Sequence, residues 1–123
     1  MIERETQQRR AIREAFTRTR RPLAPQEVLE AAHEDAPTLG IATVYRNVKA
    51  LVEEGLLKAV ELPGDAPRYE LADMGHHHHF HCNVCGKVFD IEGCVGHLSS
   101  IVPKGFKLER HDITLYGRCP ACA

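Results

Sequence analysis

Ile41-Ala42-Thr43-Val44-Tyr45-Arg46-Asn47-Val48-Lys49-Ala50-Leu51-Val52-Glu53-Glu54 is the stretch on which the fold turns. Val44, Val48, Leu51 and Val52 recur at three- and four-residue spacing, so they share one stripe of a helix, and Gly55 supplies a C-terminal stop. The other face is left to Thr43, Tyr45, Arg46, Asn47 and Lys49. Those side chains bond phosphates, pair with base edges or lie against sugars. A helix that is apolar behind and nucleic-acid-like in front predicts a recognition helix.

Two further helices precede it. Glu5 to about Thr19 carries Ile12, Ala15, Phe16 and Thr19 at helical spacing and ends before Arg21-Pro22. Pro25 suits the first turn of the next, which runs to about His33 with Val28, Leu29 and Ala32 inward, before Ala36-Pro37 interrupts. Beyond Gly55, Leu56 to Leu62 and Arg68 to Leu71 are strand-like, joined by the turn Pro63-Gly64-Asp65-Ala66-Pro67. Three helices and a hairpin predict a winged helix-turn-helix whose third helix enters the major groove of double-stranded DNA. A plain three-helix domain would share this periodicity. Arg4, Arg9, Arg10, Arg13, Arg18, Arg20 and Arg21 crowd the first segment; they suit either attraction to phosphates or a solvated helix face.

The second half is dominated by His76-His77-His78-His79-Phe80-His81-Cys82-Asn83-Val84-Cys85. Histidine and cysteine at this density are ligands for borderline transition metals. Cys82-x-x-Cys85 has a counterpart in Cys119-x-x-Cys122, and four thiolates in two such pairs close a tetrahedral structural zinc site. Two disulfides would use the same residues, but the x-x spacing and the lack of a secretory signal favour metal. On a strand, His77, His79 and His81 face one way while His76, His78 and Phe80 face the other, so two clusters are expected.

The rest of the composition bounds the answer. At 123 residues with a net charge of −1 and 43% hydrophobic residues, the chain is an ordinary globular protein of one domain or two small ones, with no apolar run of membrane length. Five cysteines leave Cys94 unpaired, which suits a reducing cytoplasm. Lys87 to Ile91 reads as a strand, Cys94 to Val102 as a short helix, and Phe106 to Tyr116 as a long strand. The expected class is α+β: a winged-helix DNA-binding domain over residues 1–72, then a zinc-stabilised α/β domain over residues 73–123. The latter is small enough to need a metal and a second copy. A zinc enzyme is disfavoured, because His33-Glu34-Asp35-Ala36-Pro37 lacks the second histidine of His-Glu-x-x-His and neither cysteine pair carries the His-x-Glu of a nucleobase deaminase.

Gly40-Ile41-Ala42-Thr43-Val44-Tyr45-Arg46-Asn47, the histidine run into Cys-x-x-Cys-Gly, and Leu115-Tyr116-Gly117-Arg118-Cys119-x-x-Cys122 together resemble the ferric uptake regulator family of bacterial metal-sensing repressors. The resemblance implies a metal-dependent repressor that acts as a homodimer on a palindromic operator, with Tyr45 and Arg46 at the DNA. It implies structural zinc on Cys82, Cys85, Cys119 and Cys122. It also implies a regulatory divalent cation, iron, zinc or manganese, on Glu70, His77, His79 and Asp90 where the two domains meet. A further site falls on His76, His78, His97 and His111, and His81 matches no ligand. Pro22 stands where the iron- and peroxide-sensing branches usually place a histidine, His33 is not at that position, and the cysteine that the zinc-sensing branch has near Ala72 is absent. A peroxide sensor, in which bound iron oxidises a ligand histidine, is the alternative within the family. No membrane and no small-molecule substrate are expected as partners.

Overall fold

The Thr6 hydroxyl starts the first helix by accepting the Arg9 amide hydrogen at 3.1 Å. In this computed structural model, which describes residues 6–123, α1 then runs Gln7–Thr19 and buries Ala11, Ile12, Ala15 and Phe16 along one face. Arg20 closes it in the left-handed region (φ 51°), donating its amide to the Phe16 carbonyl. Helix α2, Pro25–Ala32, has proline at its first turn, and the Glu27 carboxylate accepts the Ala24 amide at 3.0 Å. His33 caps α2 from just outside it, and Leu29 sits at the rim of the core instead of inside it.

Helix α3, Ile41–Glu53, buries Val44, Val48 and Leu51, with Val52 half-buried beside them. The chain turns at Gly55, whose φ of 81° suits a residue without a Cβ, and enters the hairpin β1 (Leu57–Val60) and β2 (Arg68–Leu71). These strands pair antiparallel from Leu57↔Leu71 to Val60↔Arg68. Leu23, between α1 and α2, exchanges both backbone hydrogen bonds with Tyr69 at 2.8 and 2.9 Å, so the hairpin is anchored beneath the helices. Phe16, Ile12, Leu23, Leu51, Val28, Val44 and Val48 form the centre of this unit's core.

The chain divides into two compact units after Met74, two residues beyond the boundary expected from sequence. In the second, β3 (His78–Cys82) lies between β4 (Val88–Ile91) and β5 (Thr114–Gly117). β4 pairs antiparallel with Phe80↔Phe89 opposite, and β5 runs parallel with His79↔Thr114 opposite.

Two expectations need correction here. Residues 94–102 hold only a 3₁₀ turn, Leu98–Ile101, because Gly96 at φ 75° takes the backbone out of helical space. The long strand from Phe106 shrinks to Thr114–Gly117: β3 offers partners to those four residues, the Ile113 carbonyl accepting the His79 amide marks where the pairing begins, and residues 106–112 lie outside it. Val95, Ile101 and Phe106 are 71%, 77% and 71% exposed, so this unit leaves much of its apolar surface uncovered. No helix among the described residues is long and apolar enough to cross a membrane.

Candidate metal centres and nucleic-acid interface

The outward face of α3 divides by reach. Tyr45, Arg46 and Lys49 are exposed, whereas Thr43 and Asn47 are half-buried. Asn47 spends its amide on the Thr43 carbonyl at 2.9 Å, and the Arg46 guanidinium donates to the Thr43 hydroxyl at 3.1 Å. The three long side chains are therefore the ones that reach solvent, with Thr43 orienting Arg46. Much of the arginine crowd on and just after α1 is otherwise engaged. Arg9 donates to Glu54 at 2.7 Å, Arg18 donates to the Ala31 carbonyl at 2.6 Å, and Arg21 pairs with Glu27 at 2.8 Å. These arginines tie elements of the first unit together, which weighs against reading them as a phosphate-binding patch. Arg4 lies outside the described residues.

Cys82 ends β3, Cys85 follows in the tight turn toward β4, and Cys119 and Cys122 lie in the turn after β5. Parallel pairing of β5 with β3 brings the two Cys-x-x-Cys segments together across the 33 residues between Cys85 and Cys119. All four sulfurs lie within 4.8 Å of one another, and Cys85 and Cys119 are 3.8 Å apart, Sγ to Sγ. A tetrahedron with zinc–sulfur bonds of about 2.3 Å has edges of about 3.8 Å, so the spacing suits a zinc ion and excludes a disulfide between these two sulfurs. The amides of Cys85 and Cys119, each 3.4 Å from the Cys82 sulfur, pull that thiol down to about 5 against the opposing effect of burial. Hydrogen bonding to the Cys119 sulfur, then burial, pushes Cys122 up to about 12. One thiolate is thus favoured while another thiol resists ionising beside it, and a divalent cation is what lets four thiolates coexist. Zinc here would be a closed structural tie.

The predicted alternation along β3 is what the strand produces. On one face, Nε2 of His77 and of His79 lie 3.4 and 3.5 Å from Oδ1 of Asp90, which β4 places directly opposite His79. Nδ1 of His77 lies 2.6 Å from the Gly75 carbonyl, which can only accept; Nδ1 therefore donates there, and Nε2 is the ring atom directed at Asp90. Separations near 3.4 Å match the edge of a site whose nitrogen and oxygen ligands sit about 2.0–2.2 Å from a shared cation. The donor set fits iron, manganese or zinc. Glu70 belongs to the first unit, where it is buried on β2 with the Lys58 ammonium 3.7 Å from its carboxylate. Pro22, also in the first unit, is buried and offers no ligand atom.

On the opposite face of β3, His76, His78 and His111 gather with Cys94, one donor atom of each within 4.8 Å of the rest. His97 is not among them. It precedes the 3₁₀ turn, exposed, with its carbonyl accepting from Ser100. Sequence reading missed Cys94 at this place; its flanking glycines, Gly93 and Gly96, were the available sign of a bend that could aim the thiol inward. His81, whose ring lies 5.6 Å from that of Tyr116, joins neither group of histidines.

Comparison with known proteins agrees with these features. The sequence profile of the ferric uptake regulator family matches residues 3–116. The ferric uptake regulation protein of Campylobacter jejuni is 31% identical over 122 residues, spanning 95% of this chain and 78% of that one. The peroxide operon regulator of Bacillus subtilis is 28% identical over 126 residues, spanning 96% and 83%. Among solved structures, the Helicobacter pylori ferric uptake regulator, described as having three functional metal-binding sites, superposes with a TM-score of 0.74 at 26% identity, over 97% of this chain and 81% of that one. With α1–α3 and the β1–β2 hairpin in one unit and paired Cys-x-x-Cys segments in the other, the chain belongs to the ferric uptake regulator family.

Proposed function

We propose that this chain is a metal-dependent transcriptional repressor that binds a palindromic DNA operator as a homodimer. The observation that carries the reading is the presence in one chain of an exposed Tyr45-Arg46-Lys49 face on a recognition helix and a His77-His79-Asp90 cation set on a separate unit. Cys82, Cys85, Cys119 and Cys122 hold structural zinc. His77, His79 and Asp90 hold the regulatory cation, with Glu70 as the further ligand that the family pattern assigns. The exposed Val95, Ile101 and Phe106 of a unit with a small core support pairing with a second copy.

The function is then a coupling of two binding events. A cation shifts the dimer toward whichever arrangement binds the cation more tightly, and if that arrangement also matches the half-site spacing, metal tightens DNA binding. Couplings of about 1–3 kcal/mol are typical, and DNA must tighten metal binding by the same factor. The deciding experiment is operator binding by fluorescence anisotropy at fixed salt. Protein that retains its cysteine-bound zinc is titrated separately with iron(II) under anaerobic conditions, manganese(II) and zinc(II). Tightening of about tenfold, corresponding to about 1.4 kcal/mol of coupling, by one of these cations supports the reading, whereas operator binding indifferent to all three removes the metal dependence.

Similarity to the Bacillus subtilis peroxide operon regulator favours one second reading, a peroxide sensor using bound iron. Added oxygen mass on the peptide bearing His77 and His79, after peroxide treatment of the iron form, distinguishes it.

A further inference from the structure

Cys94 Sγ lies 3.2 Å from Nε2 of His78 and 3.2 Å from Nε2 of His111. The His76 ring stands edge-on to both, with centroids 4.6 Å from His78 and 4.9 Å from His111. A backbone contact separates the roles of these imidazoles. The Ile113 amide donates to Nδ1 of His78 at 3.2 Å, so the proton of that neutral ring sits on Nε2 and points at the Cys94 sulfur. That nitrogen is a hydrogen-bond donor to sulfur, and its lone pair is not available to a cation.

We propose that Cys94, His76 and His111 form a metal site of their own for a thiophilic divalent cation of the zinc or cobalt(II) class, with His78 donating its Nε2 proton to the bound sulfur. The set departs from the one that the family pattern suggests, in which His97 takes part and Cys94 does not. A thiolate with two imidazoles is softer than the imidazole and carboxylate set on the other face of β3, so the two faces select different metals. Three protein ligands leave a position open to water, and Cys94 is exposed; the site therefore exchanges its cation, unlike the closed four-cysteine site. The hydrogen bond from His78 stabilises the thiolate and fixes its direction.

The proposal does not depend on DNA binding, and neither does its test. Protein retaining its cysteine-bound zinc is titrated with cobalt(II) and followed by ultraviolet absorption, while iodoacetamide alkylation of Cys94 is followed by mass spectrometry. A sulfur-to-cobalt charge-transfer band whose final intensity corresponds to one cobalt–thiolate bond per chain, together with protection of Cys94 from alkylation, is the expected result. Cys94→Ser loses the band. His111→Ala weakens the cobalt affinity read from it by at least about tenfold. His79→Ala keeps both the band and the protection, because a cation bound by imidazole and carboxylate gives no sulfur charge transfer. An undiminished band in Cys94→Ser would place the cobalt on the other cysteines and overturn the proposal. Absence of any new band in the wild type, or alkylation of Cys94 unaffected by cobalt, overturns it equally.

Discussion

Glu54, just beyond the end of α3, shows how a single contact sets a charge. The Arg9 guanidinium at 2.7 Å holds its carboxyl below the usual glutamate range, against a smaller opposing effect of burial. Because the folded-state pKa is depressed, the pair's stabilisation is present above the unfolded-state pKa and disappears as pH falls through the folded one. Arg9→Ala should return the Glu54 carboxyl toward its ordinary value in a carbon-detected NMR titration, and an unmoved titration would show that Arg9 is not the cause. Buried apolar residues are the other residue-scale quantity. Phe16 is 1% exposed at the centre of the first unit's core, and Phe16→Ala should cost about 3–5 kcal/mol in urea unfolding. Ile12, Phe16, Val44 and Val48 were legible in the sequence because helical spacing alone decides which side chains face inward. The engagement of Arg9, Arg18 and Arg21 was not, since pairing across elements depends on a packing that linear spacing does not contain.

Elements proved readable where a period ran long enough to be counted. α3 shows the expected apolar stripe, and β3 with the extended residues just before it separates His77 and His79 from His76 and His78 as alternation requires. Residues 94–112 defeated the same reading, because glycines at 93, 96 and 105 and the missing ladder partner outweigh local propensity. Cys94 instead of His97 beside His111 is the direct result of that bend. Two predictions belong at this scale. Arg46→Ala removes the guanidinium that Thr43 orients, and should weaken operator binding by about 1–3 kcal/mol while leaving cation affinity unchanged; unchanged DNA affinity would take Arg46 out of the interface. Cys85→Ser breaks the set that joins the turns after β3 and β5, and should lose both zinc and the dimer. A dimer of normal mass by analytical ultracentrifugation would contradict that role.

For the whole molecule, the question is whether cation and operator affect one another. Arg46 and His79 lie in different units, so their substitutions should fail in different ways. Arg46→Ala lowers DNA affinity with and without metal, by similar factors, because it removes a contact and leaves the linkage intact. In His79→Ala, basal DNA affinity is kept but the response to added cation is lost, because Asp90 and His77 are left without the imidazole that completes their set. A double-mutant cycle of the two, measured with and without cation, should give additive losses in the absence of metal. If His79→Ala still tightens on the operator with the wild-type metal response, His77, His79 and Asp90 are not the regulatory ligands. If instead basal affinity falls along with the response, His79 supports the fold of its unit, and near-ultraviolet circular dichroism of the metal-free protein should change with it. Only loss of the response with basal affinity and circular dichroism preserved assigns His79 to the coupling itself.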